Sequence, residues 1–314
     1  LIDYSWVLKF YWLIYVFNVG LLTAVLLIGD THHGAKRWID IGSSLTIQPS
    51  EFAKIFTILF LAKFLTVNKE RISKWWFILV TAVLAGIPLL LIEKEPDLST
   101  TILVTGITII LIFAAGISYK KIGIMLAIFI PVAAAALIYI QQPEQKLLDD
   151  YQMNRINAFL YPAEYDDERY QQDNSVLAIG SGRLYGKGLY NDSTESLKNA
   201  NYLSREMVND FIFAIIGEEM GFVGSCIVLG VLFLIIVECF LAAIFAPDMT
   251  GRMVCTGMAV LLTLQIFINV GVATELLPNT GIPLPFISSG LSSLISLFGG
   301  MGFVLNVSLQ RTRQ

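Results

Sequence analysis

Charge is what this sequence has least of. Asp, Glu, Lys and Arg make up 15 % of its 314 residues, where a soluble domain carries about 25 %, and the rest is apolar enough to give a mean hydropathy of +0.69. That scarcity excludes an ordinary soluble domain. With 21 basic against 25 acidic residues, no basic surplus exists to hold nucleic acid, and none is expected as a partner. The three cysteines, Cys226, Cys239 and Cys255, form no C-x-x-C pair and lie in apolar runs, so they read as small hydrophobes instead of metal ligands or disulfide partners. The only histidines, His32 and His33, are adjacent, and neighbouring side chains rarely converge on one metal. The opening Leu1-Ile2-Asp3-Tyr4 has no basic n-region and reads as the tail of an earlier apolar segment, so further spans are expected ahead of it.

What the chain does have is long hydrophobic runs. A helix needs about 20 apolar residues to cross the hydrocarbon core, and eight candidate spans are present, near 6–29, 49–67, 75–92, 99–117, 122–140, 211–246, 253–277 and 287–309. Backbone polar groups cannot face lipid unpaired, which predicts an all-α polytopic transmembrane helical bundle in one membrane domain, 1–314. The sixth run is too long for one straight span, and Gly217, Gly221 and Gly224 predict a break or a tilted entry. Lys69, Arg71, Lys74, Lys120, Lys121, Arg252, Arg311 and Arg313 mark their segments as cytoplasmic by the positive-inside rule. Segments 30–48, 93–98, 278–286 and the large loop 141–208 then lie outside, with Lys36, Arg37 and Lys94 as basic residues that run against the rule.

The polar motifs gather on that outer side. Asp210 stands at the lip of the sixth span, and a carboxylate at a membrane boundary is costly to desolvate, which makes it a candidate for proton or substrate chemistry. Glu218 and Glu219 lie about 12 Å further along an ideal helix, too far to share that chemistry, and are expected to serve polar packing. Gly34-Ala35-Lys36-Arg37-Trp38 precedes Gln48-Pro49-Ser50-Glu51-Phe52-Ala53-Lys54, where Pro49 suits a first helical turn and Glu51 and Lys54 share a face and can pair. Pro96-Asp97-Leu98 and Gly281-Ile282-Pro283-Leu284-Pro285-Phe286, followed by Ser288 and Ser289, open to the same leaflet. Anchors unrelated to one another have no reason to share a leaflet, so one composite site is expected. The stretch Gly180-Ser181-Gly182-Arg183-Leu184-Tyr185-Gly186-Lys187-Gly188 matches neither a P-loop nor G-x-G-x-x-G. It remains either a phosphate contact or a turn cluster.

These segments, with Ala178-Ile179-Gly180-Ser181-Gly182 and Asn209-Asp210-Phe211-Ile212-Phe213 ahead of Gly217-Glu218-Glu219, resemble the signatures of the SEDS family, the RodA/FtsW/SpoVE group of bacterial cell-wall glycosyltransferases. The resemblance covers essentially the whole chain and implies that the eight spans are the third to tenth of ten. Two departures stand out: Asn209 where the family usually has Thr, and Ser289-Gly290-Leu291-Ser292-Ser293 where it usually has Tyr-Gly-Gly-Ser-Ser.

The resemblance implies a peptidoglycan glycosyltransferase that polymerises lipid II at the outer face of the bacterial cytoplasmic membrane in cell-shape, division or sporulation work. It implies inversion at the anomeric carbon, with Asp210 as general base and undecaprenyl pyrophosphate released. Lys36, Arg37, Trp38, Glu51, Lys54, Asp97, Arg183, Lys187, Ser288 and Ser289 are expected to bind substrate. No residue is assigned to a metal; a divalent cation, Mg or Mn, is left open, since no spacing specifies one. The implied partner is a class B penicillin-binding protein supplying cross-linking, since Ser50 starts no S-x-x-K: Lys54 lies four residues on instead of three. Gly257, Ala259 and Gly271 offer a small-residue surface for its span or, equally, for the bundle's own packing. The alternatives are a lipid-linked sugar flippase and a non-catalytic scaffold.

Overall fold

The computed structural model describes residues 3–32, 35–40, 46–142, 145, 148, 150–189 and 207–311. His33 and Gly34 of the first motif, Leu1, Ile2, segment 190–206 of the large loop, and Arg313 lie outside the described residues. Long helices stand at all eight expected positions. The first is α1 (Tyr4–Val7) and α2 (Tyr11–Ile28), joined by a 3-10 turn; then come α3 (Pro49–Val67), α4 (Trp75–Lys94), α5 (Leu98–Ala114) and α6 (Tyr119–Ile140). The large loop contains α7 (Asp150–Leu160) and α8 (Asp166–Ser181), and the chain ends with α9 (Met207–Asp210), α10 (Ile212–Ile244), α11 (Met249–Ala273) and α12 (Leu291–Arg311). Five of them, Tyr4–Ile28 and α4, α10, α11 and α12, are long and apolar enough to cross a membrane by length and composition. The protein is a multi-pass membrane protein.

Two segments read as loops are more ordered than their polarity suggested. Residues 30–48 carry a three-stranded antiparallel sheet, β1 (Asp30–His32), β2 (Ala35–Asp40) and β3 (Thr46–Ile47), with Asp30 opposite Trp38 and Ile39 opposite Ile47. The α8 helix lies across the end of α11, where its polar side chains bond carbonyls of the last turn and of the segment after it. Gln172 Nε2 donates to Val272 O (3.0 Å) and Leu277 O (2.9 Å), and Ser175 Oγ to Ala273 O (2.8 Å). Arg169 adds ion pairs to Asp173 and Glu275.

The hub of the bundle is α11, packed against α3, α5, α10 and α12 with Met253, Val254, Leu261 and Leu262 in the main apolar core. Its small residues serve this packing. A side-chain carbon at Gly257 would lie 2.5 Å from Ile58 Cγ2 and one at Gly271 2.8 Å from Leu277 Cδ1, while Ala259 is fully buried. The packing alternative for these three residues therefore holds, and they present no surface to a partner.

The break expected in the sixth span falls at Gly221, which has φ 66° and ψ −166° inside α10. In an unbroken helix Phe222 and Val223 would donate to the carbonyls of Glu218 and Glu219 four residues back. Here Phe222 N donates to Arg183 O (2.8 Å) and Val223 N to Leu184 O (3.0 Å), while the carbonyls of Glu218 and Glu219 accept from Lys187 N (2.9 Å) and Gly188 N (3.0 Å). The glycine-rich loop thus fills the break and satisfies all four orphaned groups, as buried backbone requires. Its glycines are there for close approach: a side-chain carbon at Gly182 would sit 1.9 Å from Gly217 O, and one at Gly186 2.2 Å from Glu219 O. Gly221→Ala is expected to lower the melting temperature in detergent, at a cost of about 1–3 kcal/mol for the backbone conformation alone, because the new carbon would also meet Gly186 N at 2.3 Å. An unchanged melting temperature would refute the wedge.

Candidate active site

The outer ends of α3, α5, α11 and α12 meet under the turn that carries Asp210. Pro49 begins α3, where its missing N–H leaves nothing unsatisfied, and Gln48 N just before it donates to Ser292 Oγ of α12 (3.0 Å). Asp97 caps α5 by accepting from Thr100 N (3.1 Å), and its other oxygen accepts from Ser50 Oγ (3.2 Å) and Gln48 Nε2 (3.5 Å). Ser99 Oγ donates to Thr280 O (2.8 Å), which brings the 278–286 segment over the same place. Four motifs far apart in sequence are thereby held in one hydrogen-bonded cluster.

Beneath it, Lys54 Nζ lies 2.7 Å from Glu51 Oε1, with the two side chains only 1 % and 5 % exposed. Arg37 on β2 donates through Nε to Glu95 O (2.9 Å) and through Nη2 to Pro96 O, clasping the turn that precedes α5. Glu95 is fully buried, and burial, with the charge of Asp97 added and that of Arg37 opposing, pushes its carboxyl up to about 9. It is therefore a neutral acid at physiological pH.

Asp210 ends α9, one residue before the buried Phe211. Its backbone carbonyl accepts from Asn269 Nδ2 of α11 (2.8 Å), which also donates to Ile282 O (2.7 Å). Ser288 Oγ donates to Asn209 O (2.7 Å) and accepts from Leu284 N (2.8 Å), and Ser289 Oγ bonds Asn209 Oδ1. The Asn that replaces the family's usual Thr is thus tied to the serine pair. Burial raises the Asp210 carboxyl to about 6; Arg155 and Arg37 pull it down, and Glu51 and Asp97 push it up. One field therefore links Asp210 to residues of β2, α3, α7 and the start of α5. A carboxylate with this pKa is poised to accept a proton near neutrality.

The remaining sequence candidates are placed differently. Lys36 Nζ donates to Leu26 O (2.9 Å) and Leu27 O (3.0 Å), carbonyls at the end of α2, where a cation suits the helix terminus. Trp38 is half-buried in the sheet. Arg183 and Lys187 sit on the wedge at the α10 break, with Lys187 Nζ 2.8 Å from the buried Glu218 Oε1. Among the described residues no cluster of three or more His, Cys, Asp or Glu side chains could hold a metal ion.

Three participants escaped sequence reasoning. Asn269 and Gln265, both buried and four residues apart on one face of α11, were legible as intramembrane polar groups. Arg155 stands outside every motif, on an amphipathic helix inside the large loop, and nothing in its spacing marks it.

A multi-pass bundle whose outer polar motifs converge on one partly buried carboxylate defines the class: a membrane protein with a candidate active site at one end of its helices. The comparisons specify it further. The chain belongs to the FtsW/RodA/SpoVE family, described as cell cycle proteins, which it matches over residues 1–313. It is 35 % identical over 305 residues to the peptidoglycan glycosyltransferase MrdB of Escherichia coli (strain K12), covering 95 % of this chain and 77 % of that protein. It is 35 % identical over 296 residues to the stage V sporulation protein E of Bacillus subtilis (strain 168), covering 92 % and 76 %. Among solved structures it resembles a chain of a peptidoglycan synthase complex described for the coordination of polymerization and crosslinking, with TM-score 0.81, 26 % identity and coverage of 100 % and 85 %. It also resembles the rod shape determining protein RodA of Thermus thermophilus, with TM-score 0.69, 25 % identity and coverage of 99 % and 81 %.

Proposed function

We propose that this chain is a peptidoglycan glycosyltransferase that polymerises lipid II into glycan strands at the outer face of the cytoplasmic membrane, with Asp210 as its general base. The class rests on family membership and on the activity named for its curated relatives. The observation that carries the assignment of the base is the convergence of the outer motifs on Asp210, together with burial that lifts its carboxyl to about 6. In the reaction, the 4-hydroxyl oxygen of one sugar bonds to the anomeric carbon of another. The bond from that carbon to the lipid-linked pyrophosphate breaks and its electron pair leaves with undecaprenyl pyrophosphate. Displacement from the opposite face turns an α-linked donor into a β-1,4 product. The hydroxyl proton passes to Asp210, and one well-placed base is worth about 10²–10⁴-fold. Arg37, whose charge acts on the Asp210 carboxyl, stands on the same side to help hold the anionic donor, with Ser288 and Ser289 ordering the turn that carries Asp210.

A class B penicillin-binding protein is the proposed partner, supported by the synthase complex to which one structural neighbour belongs. Lipid flipping, the competing reading, calls for charged groups near the bilayer midplane, whereas Asp210 precedes the first residue of α10.

Purified protein supplied with lipid II tests the proposal directly. Glycan strands should form, and kcat/KM should rise with pH through about 6 and then level off, because only the ionised carboxylate can take the proton. No strands in the presence of its partner, or a rate flat across that range, would sink it.

A further inference from the structure

We propose that Arg155 is a second functional side chain of this site: it holds the Asp210 carboxylate before reaction and passes to the departing pyrophosphate once Asp210 has taken its proton. The proposal rests on Asp210 as the base.

The two side chains meet across one glycine. A side-chain carbon at Gly281 would lie 3.2 Å from Asp210 Oδ2 and 3.9 Å from Arg155 Nη1, so the guanidinium nitrogen and the carboxylate oxygen are within about 7 Å of each other. Gly281 has φ +69°, a conformation that L residues rarely adopt, so a bare backbone at this point leaves the space between them open. Four charged groups act on Asp210: Arg155 of α7, Arg37 of β2, Glu51 of α3 and Asp97 ahead of α5, and Arg155 outweighs Arg37. Four of the other candidate cations hold protein groups in this structure. Arg37 clasps the carbonyls of Glu95 and Pro96, Lys54 pairs with Glu51, Lys36 holds the end of α2, and Lys187 pairs with Glu218.

Charge balance through the reaction gives Arg155 two successive partners. Before it, the guanidinium faces an anion, Asp210. As the acceptor oxygen bonds to the anomeric carbon, its proton neutralises Asp210, and the electron pair of the breaking C–O bond accumulates on the pyrophosphate. The guanidinium then has a weaker partner on one side and a stronger one on the other. Its planar fork of donors fits phosphate oxygens in pairs, which an ammonium does not. Because α7 belongs to the large outer loop, this also makes that loop part of the active site instead of a cover over it.

The test is lipid II polymerisation by the full protein with its partner, from about pH 5 to about pH 8, for the wild type, Arg155→Gln, Arg155→Lys and Asp210→Asn, with inhibition by inorganic pyrophosphate measured for the active forms. In Arg155→Gln the acid limb of kcat/KM should move up by about one unit, the plateau should fall, and pyrophosphate should inhibit about tenfold less well. Arg155→Lys should keep the acid limb near that of the wild type, because the charge remains, yet lose much of the pyrophosphate sensitivity with the fork. An acid limb and pyrophosphate inhibition both unmoved in Arg155→Gln would overturn the proposal, since a lowered plateau alone marks a structural role. If Arg155→Gln does not fold, Arg155→Lys decides through its pyrophosphate inhibition, and wild-type sensitivity there overturns the proposal. Should Asp210→Asn still polymerise, the base assignment fails first; an inactive Asp210→Asn beside an unmoved Arg155→Gln sinks Arg155 alone.

Discussion

Asp210→Asn should reduce polymerisation at least about 100-fold while leaving the protein folded, since a positioned general base contributes about 10²–10⁴-fold. The structure explains why the two effects separate. Asn269 holds residue 210 through its backbone carbonyl, and Ser288 holds residue 209 the same way. Neither bond involves the carboxylate. Asn keeps the shape of the side chain and removes its basicity, and the loss of a desolvated acid from a half-buried position should not destabilise the turn. The measurement is kcat from lipid II consumption, with melting temperature and donor binding as controls. A folded variant that polymerises at a near-normal rate would remove Asp210 from the chemistry.

Legibility in the sequence followed the physical strength of each signal. Membrane helices are announced by composition, because lipid enforces apolar length with little tolerance, and all eight positions are occupied by long helices. The common face of the outer motifs could be read because loop charge constrains orientation. A break or tilted entry among Gly217, Gly221 and Gly224 could be read, but not which glycine carries it or what fills it: the 183–188 wedge depends on backbone hydrogen bonds, which carry no side-chain code. The sheet at 30–40 and 46–47 was missed for the same reason, as short strands above a membrane show no sustained alternation. The partners of Lys36 and Lys187 were invisible, since a cation on an outer loop can face a helix end or a buried carboxylate as readily as a phosphate. Arg155 was hidden by distance, 55 residues from Asp210 and within a loop whose packing only the third dimension supplies.

Lys54→Met should strongly destabilise the fold, for a reason that lies with the residue left behind. Lys54 and Glu51 bond at 2.7 Å with almost no exposure, and among the described residues Glu51 Oε2 has no hydrogen-bond partner. Removing the cation strands a buried carboxylate, which costs about 3–5 kcal/mol, whereas replacing both members of a buried pair by neutral groups is often close to neutral. The double variant Glu51→Gln with Lys54→Met should therefore recover most of the melting temperature that the single variant loses. Activity follows a different logic. Glu51 is one of the carboxylates that raise Asp210, so in Glu51→Gln with Lys54 kept the acid limb of kcat/KM should shift to lower pH as that push disappears. Thermal unfolding of the Lys54→Met and double variants in detergent, with the pH profile of Glu51→Gln, separates the roles. A Lys54→Met variant as stable as the wild type would show that Lys54 does not neutralise Glu51 in the membrane, and an unshifted acid limb would place Glu51 outside the field of the base.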